Sequence, residues 1–181
     1  MTYYPSRLIE RVTEPAGEPL SLAEVKSFLR IDGNDEDTLL GELITTARIL
    51  AEELTGRSLM TQRWKIAYDN NVPQTISLPY GPLQSVISVS VVSEEEVASA
   101  VDSGTYHVNA NQRELVFETM PWGHRIEIVI ETGYGDESSD VPSAIRQGML
   151  VHVANLYEHR DTMSPPLVSH MLYANYREVR L

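Results

Sequence analysis

The spacing of apolar residues predicts three helices, and the longest apolar pattern lies at residues 141–160. Pro142 stands where the first turn begins, a position with no intrahelical N–H bond to lose. The apolar residues recur at three- and four-residue intervals and widen into a broad stripe, formed by Ile145, Met149, Leu150, Val151, Val153, Ala154, Leu156 and Tyr157. A helix with such a broad apolar surface is expected to be buried on more than one side.

Two further helices are predicted near the start of the chain. Ser21 and Glu24 have the spacing of a capping box, and a short amphipathic helix follows them. A longer stripe at residues 37–55 contains Leu39, Leu40, Leu43, Ile44, Ala47, Leu50, Ala51 and Leu54. Gly56 comes directly after it and tolerates the left-handed conformation that commonly ends a helix.

The pattern between the second and third helices changes to alternation, which predicts short strands. The predicted strands are residues 64–68, 75–78, 85–92, 105–109, 114–118 and 125–132. Their connections are short and rich in Asn, Gly and Pro, so antiparallel pairing is favoured over parallel pairing, which needs long crossovers. Residues 93–100 form the longest connection, predicted to be either a helical turn or a mobile acidic loop.

This order of elements predicts an α+β fold: a three-helix core, an antiparallel β-subdomain inserted between helices 2 and 3, and an extended C-terminal tail. Residues 1–19 are predicted to be an extended N-terminal arm. The predicted helical core is residues 20–60 and 141–162, the β-subdomain residues 61–140, and the tail residues 163–181.

Composition and charge narrow the possible functions. The formal charge of −12 opposes binding to phosphate backbones, so DNA near this protein is expected to pass without specific binding. The chain has no cysteine, which excludes disulfides and thiolate chemistry and fits assembly in a reducing cytoplasm. Neither a transmembrane segment nor a signal peptide is predicted, so no membrane partner is expected.

Candidate catalytic and metal-binding patterns are weak. The acidic run at residues 32–37 departs from a calcium loop in its glycine and glutamate positions, which favours a helix start with acidic residues near the positive end of the dipole. His152 and His159 share a helix face but lack the H-E-x-x-H pattern. The carboxylates at residues 94–96 are typical of a solvated loop. No catalytic residue, metal ligand or cofactor is therefore predicted.

Packing can be predicted for two sets of aromatic and apolar residues. Trp64, Phe117 and Trp122 are expected to pack in the core or in the β-subdomain. In the tail, Pro165 and Pro166 precede an apolar and aromatic segment with basic residues, namely Leu167, Met171, Leu172, Tyr173, Tyr176, Arg177, Val179, Arg180 and Leu181. This segment is predicted either to pack on its own core as a fourth helix or to bind another subunit as an arm.

Several stretches, in this order, resemble the head-tail connector proteins of tailed bacteriophages. The stretches are EPLSLAEVK (18–26), LRID (29–32), ELTGRSLMTQRW (53–64), LPYGPLQSV (78–86), TGYG (132–135), VP (141–142) and NLYEHR (155–160). The chain is similar to the adaptor family that includes the connector of HK97-like phages, in the branch with an inserted β-subdomain. Related adaptors occur in prophages and gene transfer agents. The resemblance extends from about residue 14 to residue 161.

The resemblance implies a non-enzymatic adaptor in the neck of a virion or phage-like particle. Its copies are expected to form a ring that matches a twelve-fold portal, contacts the next tail component (the stopper) and extends the DNA channel. The portal-binding residues are predicted to be Leu167, Met171, Leu172, Tyr173, Tyr176, Arg177, Arg180 and Leu181. The subunit interface is predicted to use Leu43, Ala47, Leu50, Met149, Val153 and Tyr157.

Two other functions remain open on the sequence alone. A small-molecule or sugar-binding module on the β-subdomain predicts a deep pocket with convergent polar groups. A regulatory protein that binds a host partner through its helices predicts a small stable oligomer without affinity for a portal. Neither alternative has a motif in its favour.

Overall fold

The computed structural model describes residues 6–69, 72–159 and 164–178, and the chain divides into two units. A β unit contains Met1–Glu14 and Thr61–Gly133, and a helical unit contains Pro15–Met60 and Tyr134–Leu181. The predicted α+β class, with a helical core and an antiparallel β-subdomain, is confirmed. The unit boundaries differ from the predicted ones at the N-terminus and at residues 134–140.

The helical unit contains four helices within the described residues: α1 (Leu22–Leu29), α2 (Asp37–Thr55), α3 (Ser143–Glu158) and α4 (Leu167–Tyr173). Its core joins the apolar stripes of α2 and α3, with fully or nearly fully buried side chains at Leu40, Ile44, Ala47, Ala51, Ile145, Met149 and Val153. The helix ends follow their sequence signals. Ser21 Oγ accepts a hydrogen bond from Glu24 N at 3.2 Å, and Gly56 ends α2 with a φ of 71°.

The C-terminal tail differs from the extended arm expected from its prolines. Residues Leu167–Tyr173 form α4, and the Tyr173 side chain is buried in the core of the helical unit. This arrangement corresponds to the alternative prediction of a fourth helix that packs on its own core.

The β unit contains two antiparallel sheets, ordered β1-β2-β8-β4-β5 and β3-β7-β6. The strands are β1 (Ser6–Thr13), β2 (Gln62–Asp69), β3 (Thr75–Ser77), β4 (Leu83–Val92), β5 (Ala98–Ala100), β6 (Tyr106–Val108), β7 (Glu114–Phe117) and β8 (Arg125–Thr132). Side chains from both sheets share one apolar core, which includes Ile66, Ile76, Leu115, Phe117, Ile128 and Ile130. The six predicted strands are therefore present, together with β1 and β5.

The predicted N-terminal arm is corrected by strand β1, which pairs with β2 at the edge of the larger sheet. Ile9 packs against the apolar core, but its neighbours on the same face are Arg7 and Arg11. Their guanidinium groups lie over aromatic rings, Arg7 over Tyr68 at 5.9 Å and Arg11 over Trp64 at 4.8 Å. Because these inward positions hold arginines, β1 lacks the apolar alternation of a typical half-buried strand.

Two predictions for the β unit are wrong in part. The connection at residues 93–100 contains a turn and then β5, so it is neither a helical turn nor a loop throughout. Trp64 and Phe117 are buried as predicted, and Trp64 stacks on Tyr80 with 4.0 Å between ring centroids. Trp122, in contrast, is 98% exposed and lies in the connection between β7 and β8.

Candidate partner-binding surfaces

Helix α4 lies against α3 at a point where only a glycine fits. A Cβ atom placed on Gly148 would lie 2.5 Å from Cε1 of Tyr173, closer than real Cβ contacts. Ser169, which is also buried, donates a hydrogen bond from Oγ to the Gly148 carbonyl oxygen at 2.8 Å. The missing side chain of Gly148 therefore lets one face of α4 approach α3 closely.

The residues after α4 are held by hydrogen bonds to the end of α2 and the segment that follows it. Arg57 Nε donates to the Tyr176 carbonyl oxygen at 2.6 Å, and the backbone N–H of Glu178 donates to the Thr55 carbonyl oxygen at 2.7 Å. Arg177 Nε also donates to the Leu54 carbonyl oxygen at 3.2 Å. Carbonyl groups near a helix C-terminus lack intrahelical donors, so the tail supplies partners that α2 itself cannot provide.

The other face of α4 exposes three apolar side chains, which we call the tail patch. Leu167 is 75% exposed, Val168 53% and Met171 68%. Single exposed apolar residues are common, but three within five residues of a helix fixed to its own core form a contiguous apolar surface. The tail patch is therefore positioned for a partner without unfolding of α4.

Burial also perturbs two tyrosines of the helical unit. The Tyr173 hydroxyl is buried without a hydrogen-bond partner among the described residues, and burial raises its pKa well above the usual tyrosine range. Burial likewise raises the pKa of Tyr134, although the guanidinium of Arg57 partly opposes this effect. Both hydroxyls stay protonated at neutral pH, so neither serves as a base.

The predicted portal-binding residues differ in their exposure. Leu167, Met171 and Arg177 are exposed, and Leu172 and Tyr176 are half-buried. Tyr173 is buried in its own core, so its side chain offers no surface to a portal while α4 is docked. Arg180 and Leu181 lie outside the described residues. Val168, which the sequence prediction did not include, is part of the tail patch.

The predicted subunit-interface residues are also divided. Ala47, Met149 and Val153 are fully buried within the helical unit, so the structure corrects their assignment to an intersubunit surface. Met149 and Val153 of α3 were predicted to contact a neighbouring subunit, but they pack in the core that α2, α3 and α4 of the same chain form. Leu43, Leu50 and Tyr157 are half-buried, and the Tyr157 hydroxyl donates to Glu36 Oε2 at 2.8 Å.

The acidic and histidine residues that were considered as metal ligands have other roles or positions in the described part of the chain. Asp37, at the start of α2, pairs with Lys26 Nζ at 2.7 Å. His152 is buried in the helical unit and His159 is exposed. Within residues 6–69, 72–159 and 164–178, no three His, Cys, Asp or Glu side chains are grouped to hold a metal ion. None of the helices described there has the length and apolarity to cross a bilayer.

A second exposed surface lies in the β unit beside β5, and the sequence prediction missed it. It is an open groove of about 890 Å³, which we call the β5 groove. Its lining includes the apolar residues Val97, Met120 and Trp122 and the acidic residues Glu94, Glu95 and Asp102. The sequence signal was the segment Met120–Gly123, where Pro121 and Gly123 flank a tryptophan and disfavour strand structure.

These features define a class of α+β proteins in which an antiparallel β unit interrupts a helical unit that ends in a docked helix with an exposed apolar patch. Residues 19–122, more than half of the chain, match the model of the family described as Phage gp6-like head-tail connector protein. The chain belongs to this family. Its role is therefore structural, as a connector between the head and the tail of a phage-like particle.

Solved structures share the fold over nearly the whole chain. A chain of the neck of an empty GTA particle, computed with C6 symmetry, matches with a TM-score of 0.83 and 23% identity, over 96% of this chain and 97% of that one. A chain of the virion of a native gene transfer agent (GTA) particle matches with a TM-score of 0.80 and 24% identity, over the same shares of the two chains. A chain of the neck of a native GTA particle, computed with C12 symmetry, matches with a TM-score of 0.80 and 23% identity, over 96% of this chain and 97% of that one. No curated protein sequence matches this chain.

Proposed function

We propose that the protein forms a ring in the particle neck, between the portal and the next tail component, and that its tail patch binds the portal. The family supports a connector between head and tail, and two of the structures with the same fold come from particle necks, one of them computed with C12 symmetry. The observation that carries the portal assignment is the tail patch, three exposed apolar side chains on a helix held to its own core.

The charge of the chain fits a DNA channel. The formal charge is −12, and phosphate backbones are repelled by a surface of the same sign. A ring of such subunits lets DNA pass without specific binding. The half-buried residues Leu43, Leu50 and Tyr157 are proposed to contribute to the contact between neighbouring copies, which is heterologous in a closed ring.

Point substitutions test the portal assignment better than truncation does. Removal of the whole tail also removes Tyr173 from the core, so loss of binding would be confounded by loss of folding. The sharper variant is Leu167→Ser with Met171→Ser, which changes only exposed side chains. Ile49→Ser is the matched control, because Ile49 is another exposed apolar residue of the helical unit.

The measurement is light scattering coupled to size exclusion, on each full-length variant mixed with the portal protein of the same particle. We expect the unmodified chain and Ile49→Ser to elute with the portal, and the double variant to elute alone with an unchanged circular dichroism spectrum. If the folded double variant still elutes with the portal at the same concentration, the tail patch does not bind the portal.

A further inference from the structure

Strand β5 is an open edge of the larger sheet in the described part of the chain. Toward β4, the Val97 carbonyl oxygen accepts from Ser93 N at 3.0 Å, and Val101 N donates to the Val89 carbonyl oxygen at 2.9 Å. Backbone groups alternate in direction along a strand, so those of Ala98 and Ala100 point away from β4. The three side chains of β5 are small and exposed, and they leave these backbone groups accessible. The outward N–H and C=O groups of an edge strand can pair with one more strand, here over the three residues of β5.

A large aromatic side chain, Trp122, lines the same groove as Ser99 and Ala100 of β5. The exposed fractions are 98% for Trp122, 60% for Val97 and 40% for Met120. Tryptophan is among the residues that contribute most to the affinity of protein interfaces. The Trp122 ring therefore offers apolar surface to a segment bound along β5.

The charge of the groove selects among possible occupants. Glu94, Glu95 and Asp102 line it, and its described lining contains no Lys or Arg. Ser93 Oγ donates to Glu95 Oε2 at 2.8 Å, and this hydrogen bond lowers the pKa of Glu95, so this carboxylate is charged at neutral pH. A second copy of a chain with charge −12, or a nucleic acid, is electrostatically disfavoured. The complementary occupant is a basic protein segment.

We propose that the β5 groove binds an extended, Lys- or Arg-bearing segment of another protein as an added strand on β5, with apolar side chains on Trp122 and cations near Glu94 and Glu95. The backbone groups of Ala98 and Ala100 supply the hydrogen bonds that hold the strand, and the side chains select its sequence. This binding goes beyond the proposed portal contact, which uses the tail patch.

The test uses the full-length chain and three synthetic peptides of about eight residues, the length of an ordinary strand. The first alternates Val and Lys, the second alternates Val and Glu, and the third is the Val-Lys peptide with N-methyl groups on alternate backbone nitrogens. Binding is followed by the tryptophan emission of the unmodified chain, with Trp122→Phe as the reference that removes the signal of Trp122.

We expect saturable binding of the Val-Lys peptide alone, with a blue shift that Trp122→Phe abolishes. Glu94→Gln with Glu95→Gln is expected to weaken the binding by about threefold to tenfold. Glu42→Gln with Glu53→Gln, an equal change of charge on exposed residues of α2, is expected to leave the binding unchanged.

Several results would overturn this inference. One is the absence of saturable binding, and another is equal affinity for the Val-Lys and Val-Glu peptides. Equal affinity for the N-methylated peptide would exclude strand addition. Dissociation of a dimer by the peptide, seen in light scattering, would make a second copy the natural occupant. Because the portal is absent from this titration, its failure is distinct from failure of the proposed function.

Discussion

The tail patch and the β5 groove are both exposed and apolar, but they offer different chemical groups to a partner. The tail patch consists of exposed apolar side chains on a helix, and we expect these side chains to recognise the partner. The β5 groove adds to its apolar residues an acidic rim and the backbone groups of Ala98 and Ala100, which point away from β4. The first surface therefore depends on the docking of α4, and the second on charge and strand geometry.

A substitution at Tyr173 should disrupt the packing of α4 on its core more than any other change considered. Tyr173→Ala removes a buried aromatic side chain from the core and is expected to lower the free energy of unfolding of the helical unit by about 3–5 kcal/mol. Urea unfolding measures this loss, and portal binding should fall with it. Met171→Ala is the control on the exposed face of α4 and should change stability by less than about 0.5 kcal/mol. Equal stability losses in the two variants would show that α4 is not docked.

Gly148 tests the same contact from the side of α3. Gly148→Ala forces a Cβ against the Tyr173 ring and is expected to destabilise the helical unit by about 1–3 kcal/mol. Gly41→Ala is the matched control in α2, where nothing lies within 4 Å of the added atom. Helix propensity predicts that this control is more stable by about 0.5–1 kcal/mol. Thermal unfolding of both variants separates the two effects, and a stabilised Gly148→Ala would contradict the close contact.

The buried Tyr173 hydroxyl allows a subtler change. Tyr173→Phe keeps the ring and removes a hydroxyl that has no partner among the described residues. We expect a gain in the free energy of unfolding of about 1 kcal/mol, with portal binding unchanged. Urea unfolding gives the first quantity and co-elution the second. A destabilised variant would mean that the hydroxyl is hydrogen-bonded in solution.

Changes in salt concentration and pH should distinguish binding at the tail patch from binding at the β5 groove, and these are the smallest of the expected effects. An increase in salt concentration from about 50 to about 500 mM is expected to weaken binding of the Val-Lys peptide to the β5 groove several-fold and to leave portal binding nearly unchanged. Because the pKa of Glu95 is lowered, its charge persists to a lower pH than that of an ordinary glutamate and is lost only as the pH falls through this lowered pKa. Titrations at two salt concentrations, and down a pH series, measure both responses. Equal salt dependence of the two contacts would contradict the comparison.

The sequence predicted elements well where periodicity and local end signals agree. The predicted range of α2 is the observed one, because an uninterrupted stripe ends at Gly56. The prediction failed for β1, where Arg7 and Arg11 share the face of Ile9, and for Trp122, whose residue type favours burial but which lies exposed between β7 and β8.

The candidate sites were harder to predict because they depend on which surface the chain covers by itself. The apolar stripe of α3 was correctly identified as broadly buried, but its assignment to a neighbouring subunit ignored α4. The contact between Ser169 and Gly148 joins residues 21 positions apart in the sequence, and no local pattern signals it. The same contact leaves Leu167, Val168 and Met171 as the exposed face.

The close approach of Tyr173 to Gly148 also has a kinetic consequence. A segment that folds only on its partner loses conformational entropy during association, and its observed rate can become limited by a slow unimolecular step. Helix α4 is ordered when the chain folds, before any encounter. Its association with a partner should therefore remain second-order, with a rate that rises linearly with partner concentration and does not level off.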